Sequence, residues 1–185
     1  MTDASPPIAI PRLTTERLLL RELRLDDFEE YARLIGDPDV TRYASGTTDR
    51  RNAWRLFTSC TGAWMLTGAG YWAIEERATG TFAGTVGAFF RETSLPLGPE
   101  TPLELGWTIS PLFRRRGYAT EAARAALTYG MVRHDVPRAI AQMDPANIGS
   151  VKVAVAIGMS FDGEADFYGA LDVRYAIARA DLRRA

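Results

Sequence analysis

The stretch from Leu103 to Arg133 constrains the fold of this chain most. Leu103 to Ser110 reads as a strand, with Leu103, Leu105, Trp107 and Ile109 on one face, and Ser110-Pro111 breaks it. Arg114-Arg115-Arg116-Gly117-Tyr118-Ala119 then forms a basic turn in which the glycine permits a positive φ. From about Tyr118 to Arg133, the residues Ala119, Ala122, Ala123, Ala126, Leu127, Gly130 and Met131 recur at i, i+3, i+4, i+7 and i+8, one face of a helix. Most of that stripe is Ala and Gly, so the helix can lie close against a sheet.

The remaining segments fill in a layered domain. Residues 17 to 24 read as a first strand, and Asp26 and Asp27 open a helix through Ile35, since acidic groups suit the positive end of the helix dipole. Gly36-Asp37-Pro38 stops it. Asp49 to Leu66 gives a second helix, and Tyr71 to Glu76 with Thr81 to Arg91 a hairpin closed by Arg77-Ala78-Thr79-Gly80. A Pro/Gly-rich loop, Thr93 to Pro102, leads into the central strand. Beyond the central helix come a strand at Arg138 to Met143, a helix at Asn147 to Ile157, and a strand pair at Ser160 to Phe167 and Leu171 to Ala180. Strands and helices interleave, but hairpins occur in the middle and at the end. The expectation is a mixed sheet in an α/β or α+β fold, as one domain over 1–185 behind a flexible lead-in at 1–13.

Composition removes several chemistries. One histidine, His134, and one cysteine, Cys60, leave no internal disulfide, no Cys/His zinc cluster and no two-histidine metal site. Lys152 is the sole lysine, so a Schiff-base mechanism would rest on one residue. The 22 basic and 23 acidic side chains nearly cancel, which argues against a general nucleic-acid or membrane-surface binder. No secretory leader opens the sequence and no apolar run approaches the ~18 residues that span a bilayer, so a soluble, cytoplasmic protein is expected. His134 reads as a residue complementing the helix C-terminal dipole, Cys60 as a small core residue, and Trp54, Trp64, Tyr71 and Trp72 as core or pocket wall.

A glycine turn feeding a helix N-terminus presents unpaired N–H groups and the positive dipole end, which together bind phosphate oxygens. Three arginines stand beside those amides, and Ala119 leaves room for a ligand. The sequence is neither Gly-x-Gly-x-x-Gly nor Gly-x-x-x-x-Gly-Lys-Ser/Thr, so dinucleotide and P-loop readings lack their fingerprints. Taken alone, Arg-x-x-Gly-x-Ala reads better as a solvated basic turn.

The ordered motifs resemble the GCN5-related N-acetyltransferases (GNAT), whose acetyl-CoA pyrophosphate loop has the pattern Arg/Gln-x-x-Gly-x-Gly/Ala. More narrowly the chain resembles the RimJ/RimL branch. Thr15-Glu16-Arg17-Leu18-Leu19-Leu20-Arg21, Leu25-Asp26-Asp27 and Asp37-Pro38-Asp39-Val40 are similar to its N-terminal signature. Glu104-Leu105-Gly106-Trp107 is similar to its Glu-Leu-Gly-Tyr strand, and Asn147-Ile148-Gly149-Ser150 to its Asn-x-x-Ser helix start. Ile157-Gly158-Met159 stands where Leu-Gly-Phe is usual, and the likeness runs through residues 14 to 180.

The resemblance implies a mostly antiparallel sheet of about seven strands, flanked by helices, whose fourth and fifth strands splay to admit pantetheine. It implies that acetyl-CoA meets backbone at Trp107, Thr108 and Ile109. Amides from Arg115 through Gly117, Tyr118 and Ala119 to Thr120 would hold the pyrophosphate, with Arg114, Arg115 and Arg116 supplying charge. Asn147 would contact pantetheine, and Ser150 would stand near the thiolate and donate a hydrogen bond or a proton to the leaving sulfur. The bland counterpart for that pair is helix capping. Lys152 is a candidate for the CoA 3′-phosphate and Tyr168 a distant alternative acid.

Glu104 is the general-base candidate, on the polar side of its strand beside Gly106 and Thr108. At pH 7 the deprotonation that attack requires costs about 4.6 kcal/mol for a lysine-like amine and about 1 kcal/mol for an α-amine. The competing reading of Glu104 is a strand carboxylate paired with an arginine. The expected partner is a primary amine, a peptide or protein N-terminus first and a small amine or antibiotic second, handled by a monomer or homodimer. A non-catalytic acyl-CoA-binding module is the alternative of a different class.

Overall fold

The alternation between Gly70 and Ile109 gives three strands that pair in sequence order, and the rest of the sheet is built outward from them. In the computed structural model, residues 9–43, 46–167 and 169–184 are described. The order of elements is β1 (Leu13–Thr14), β2 (Leu18–Arg21), α1 (Phe28–Gly36), α2 (Pro38–Thr41), α3 (Arg50–Thr67), β3 (Gly70–Glu76), β4 (Thr81–Phe89) and β5 (Leu103–Ile109). Then follow α4 (Tyr118–His134), β6 (Arg138–Met143), α5 (Ile148–Ala156), β7 (Ser160–Phe167) and β8 (Ala170–Ala178). The sheet runs β1-β2-β3-β4-β5-β6-β8-β7, antiparallel throughout except for β5 and β6, which α4 connects in parallel. It has eight strands rather than about seven, the addition being the two-residue β1.

Two local expectations needed correction. Asp37-Pro38 ends α1 but also starts α2: the Asp37 carboxylate accepts the Asp39 N–H at 2.8 Å, and Pro38 occupies the first turn, where its missing N–H costs nothing. The lead-in is not free as far as residue 13. The buried Trp72 indole N–H donates to the Pro11 carbonyl at 2.7 Å, and Ile10 and Leu13 pack on the core, while residues 1–8 lie outside those described.

The small-residue stripe of α4 does what its composition implies. Ala122, Ala123, Ala126, Leu127 and Met131 are fully buried against Leu18, Ile74, Val86 and Leu103. A Cβ on Gly130 would sit 2.5 Å from Leu103 Cδ2 and 3.0 Å from Ala88 Cβ, so any larger residue would force the buried Leu103 to move. On the opposite face α1 and α3 bring Phe28, Tyr31 and Phe57 onto Ala73 and Phe82. There Asp27 is more than a dipole partner: it is buried, its carboxylate receives both Arg21 terminal nitrogens at 2.7 and 2.8 Å, and it caps the Arg24 N–H.

The feature that creates a site is the parting of β5 from β6. Only Leu103 and Glu104 pair with β6, opposite Ala139 and Ile140, whereas β5 stays paired with β4 from Glu104 to Ile109. Beyond Glu104, the β6 side of β5 therefore has no strand partner.

Candidate active site

Two cavities meet at this gap. One, of about 690 Å³, lies between β5, the turn before α4 and the start of α5. The other, of about 620 Å³, extends over Tyr71, Phe89, Arg91, Glu104 and Asp172. Both are bordered by Trp107, Thr108, Asn147 and Ser150, so a molecule in the first can reach a molecule in the second at those residues.

The turn into α4 forms one end of the first cavity. Arg115 and Gly117 both have positive φ, 61° and 81°, and Gly117 is the residue before the helix. Among the described residues nothing accepts from the backbone N–H groups of Arg115, Arg116, Gly117, Tyr118, Ala119 and Thr120; the first paired amide is Glu121, bonded to the Gly117 carbonyl at 3.1 Å. Consecutive amides without acceptors, at the positive end of a 17-residue helix, suit a polyanion such as a pyrophosphate. Arg114 and Arg115 line the cavity. Arg116 does not: its guanidinium lies 5.2 Å over the Phe113 ring and reaches Glu76 at 3.2 Å, so the expectation that all three arginines direct charge into the site is corrected to two.

Sequence reasoning noticed Thr15 and Arg17 without seeing their purpose. Both grip Glu121 in the first turn of α4, Thr15 Oγ1 at 2.6 Å and Arg17 Nε at 2.7 Å, and Arg17 Nη1 also donates to the Arg116 carbonyl at 2.8 Å. Thr15 and two Arg17 donors hold the Glu121 carboxyl below the usual carboxylate range, against the opposing effect of its burial. Tyr118 Oη donates to Glu76 at 2.5 Å and fixes the turn from its inner side.

At the other end Asn147 caps α5, its Oδ1 accepting the Ser150 N–H at 3.1 Å. Capping leaves the Asn147 amide donors available, and Ser150 faces both cavities. Lys152 is exposed and borders neither cavity, so the phosphate contact considered for it lacks a geometric basis. Tyr168 lies outside the described residues.

The second cavity contains the base candidate. Glu104 borders it as the strand alternation requires, but it is buried and engaged by an arginine: Arg91 Nε donates to Oε2 at 2.7 Å and Arg91 Nη2 contacts Oε1. The expectation of a carboxylate open among small neighbours is corrected to one held in a two-point ion pair. Tyr71 explains the small neighbours. Its ring crosses Gly87 and ends over Gly106, where added Cβ atoms would each come within 2.7 Å of it, and it stacks on Phe89 at 4.9 Å. Burial pushes the Tyr71 phenol well up.

His134, expected as a charged helix end, is instead half-buried with its edge on Phe90, and Nε2–H donates to the Gly68 carbonyl at 3.1 Å. Burial lowers its pKa and favours neutral imidazole. Cys60 is buried, as its context suggested.

A parallel pair that opens beside a helix start with acceptor-free amides, with a second cavity meeting the first at the opening, is an arrangement in which two ligands can meet. Comparison with known proteins agrees. The model of the acetyltransferase (GNAT) domain family matches residues 17–160. The uncharacterized protein YkkB of Bacillus subtilis is 32% identical over 81% of this chain and 86% of its own length, and the uncharacterized N-acetyltransferase YnaD of the same organism 30% over 82% and 84%. A crystal structure of an acetyltransferase from Agrobacterium tumefaciens superimposes with a TM-score of 0.81 at 31% identity, covering 95% of this chain and 98% of that one. The chain belongs to the GNAT acetyltransferase family and is an acyltransferase.

Proposed function

We propose that the protein is an acetyl-CoA-dependent N-acetyltransferase of the RimJ/RimL-like branch, working by direct transfer to a primary amine, with a peptide or protein N-terminus as first candidate. The observation that carries the reading is the run of acceptor-free amides from Arg115 to Thr120 at the mouth of a cavity that continues along the open edge of β5. In this reading the pyrophosphate lies on those amides beside Arg114 and Arg115. Pantetheine follows Trp107, Thr108 and Ile109, with the Asn147 amide as an added donor, and the amine occupies the second cavity. The site needs no metal, since backbone amides, a carboxylate and a hydroxyl provide the groups that acyl transfer uses.

The amine enters charged and gives up a proton, through water, to Glu104. Its nitrogen then bonds to the acetyl carbon while the carbon–sulfur bond breaks; Ser150 protonates the departing thiolate and regains a proton from the acylated nitrogen, which leaves a neutral amide and a free thiol. Branch membership rests on the motif order from Thr15 to Met159, and the cytoplasmic setting and single-domain organisation belong to the same reading. The test is thiol release from acetyl-CoA across N-terminal peptides and small amines. Dependence on amine supports transfer; a thermal shift with CoA but no turnover with any amine favours the non-catalytic binding module. Glu104→Gln that kept full turnover from pH 6 to 9 would remove Glu104 as base.

A further inference from the structure

The second cavity holds three carboxylates in different situations. Glu104 is paired with Arg91. Asp144, at the end of β6, accepts the Ala146 N–H at 2.7 Å. Asp172, on β8, borders the same cavity and is 8% exposed, yet none of the hydrogen bonds or ion pairs among the described residues reaches its carboxylate. Its oxygens open onto the cavity: among the described residues the one buried side-chain nitrogen or oxygen without a partner is Arg138 Nε, so the Asp172 carboxylate is reachable from the cavity and can take a cation there. Asp144 and Glu104 add negative potential at Asp172, which Arg91 only partly offsets. The surrounding wall has an apolar part, Tyr71, Phe89, Met143 and Leu171, beside polar side chains such as Arg42 and Gln142.

We propose that Asp172 is the counter-ion of the acceptor: a protonated primary amine with an apolar stem places its ammonium against this carboxylate before transfer. The proposal rests on the acetyl-transfer reading and deepens it by naming the residue that selects the acceptor. Glu104 already has its cation; Asp172 has room for one. An ammonium held there satisfies the buried charge, while its stem covers the apolar wall. Acceptors with a carboxylate next to the amine meet Asp144 and Asp172 as like charges and are disfavoured.

The experiment compares wild type with Asp172→Asn, an isosteric change that removes the charge, using acetyl-CoA thiol release with 2-phenylethylamine, phenylalanine amide and phenylalanine. The expected result is a rise of about tenfold or more in the KM for the first two amines, with the acetyl-CoA KM unchanged. Phenylalanine is the poorest acceptor for wild type and loses that disadvantage in part in the variant. The same substitution leaves Tm unchanged or higher, because no protein partner of the carboxylate is lost; a carboxylate with a merely structural role would lower it. Unchanged amine KM, or a lowered Tm, overturns the assignment even when wild type turns over normally. No turnover by wild type with any amine, despite a CoA-induced thermal shift, overturns the transfer reading and this proposal with it.

Discussion

Arg17, at the entrance to the first long strand, donates from Nη1 to the carbonyl of Arg116, 99 residues later, at 2.8 Å. The same guanidinium pairs with Glu121 in the first turn of α4 and lies 5.0 Å over the Tyr118 ring. One side chain thus braces the turn whose amides are proposed to bind pyrophosphate. Arg17→Ala is expected to weaken acetyl-CoA binding about fivefold, roughly 1 kcal/mol, since the pair is partly exposed and screened. The amine KM stays as in wild type. Calorimetric titration of CoA checks the first, and steady-state kinetics the second.

The Arg91–Glu104 pair gives a prediction of the opposite sort, in which removing one member is worse than removing both. Side-chain exposure is 21% for Arg91 and 7% for Glu104, so Arg91→Met strands a buried carboxylate and is expected to cost about 3 kcal/mol. Adding Glu104→Gln removes the stranded charge and recovers most of that stability, though not turnover. Urea denaturation of the two single variants and the double variant measures the coupling. Equal, additive losses would mean that the pair does not act as a unit.

These two relationships mark how far the sequence could be read. Elements with a strong local signature were legible: the helix from Tyr118 with its Ala/Gly stripe, the hairpin around Gly80 and the strand Arg138–Met143 all lie within a residue or two of expectation. The glycine turn into the central helix was legible because a glycine, a helix start and adjacent arginines are local in sequence. Arg17 and Arg91 were not legible as partners of Arg116 and Glu104, because those contacts depend on strand register. Glu104 lies opposite Phe89 across β4 and β5, and only that register puts Arg91 within reach. Asp172 escaped notice for the same reason: nothing near it in sequence marks it, and its position follows from β6 ending at Met143, opposite Val173. Charge orientation was likewise hidden, as Arg116 shares its motif with Arg115 but turns to Glu76.

Gly106 lies beneath Tyr71, and a substitution there has a built-in rescue. A Cβ at 106 would stand 2.7 Å from the Tyr71 hydroxyl but 3.5 Å from Cζ. Gly106→Ala is therefore expected to cost about 1–3 kcal/mol from overpacking and to raise the amine KM by displacing the ring. In a Tyr71→Phe background the oxygen is gone and the residual distance is ordinary contact, so the cost of Gly106→Ala falls sharply. Thermal denaturation and amine kinetics on the four proteins of the cycle provide the check.

Cys60 contrasts with a reactive thiol. Burial pushes its pKa up to about 11, and the group is enclosed among core residues, so the nucleophilic thiolate is scarce at neutral pH. Alkylation by iodoacetamide at pH 8 is expected to proceed only at the rate at which the fold opens, and to become fast in denaturing urea. Mass spectrometry over time distinguishes this from the rapid labelling of an accessible thiol.

His134 supplies the pH dependence. Burial depresses its folded-state pKa below the ordinary value near 6.5, with the Gly68 carbonyl only partly countering that effect and Arg133 adding to it. The folded protein therefore favours neutral imidazole, while the unfolded chain takes up a proton as pH falls through about 6.5. The unfolded state then binds more protons, so this residue's contribution is complete above that pH and is lost as pH falls toward the folded-state pKa. His134→Gln keeps a donor for Gly68 but cannot titrate. Subtracting its Tm from that of wild type between pH 7.5 and 5.5 isolates the effect from other groups, including Asp172, whose raised pKa acts with the opposite sign. The difference is expected to become less favourable to wild type as pH falls; a difference constant across the range would mean that His134 keeps its ordinary pKa in the fold.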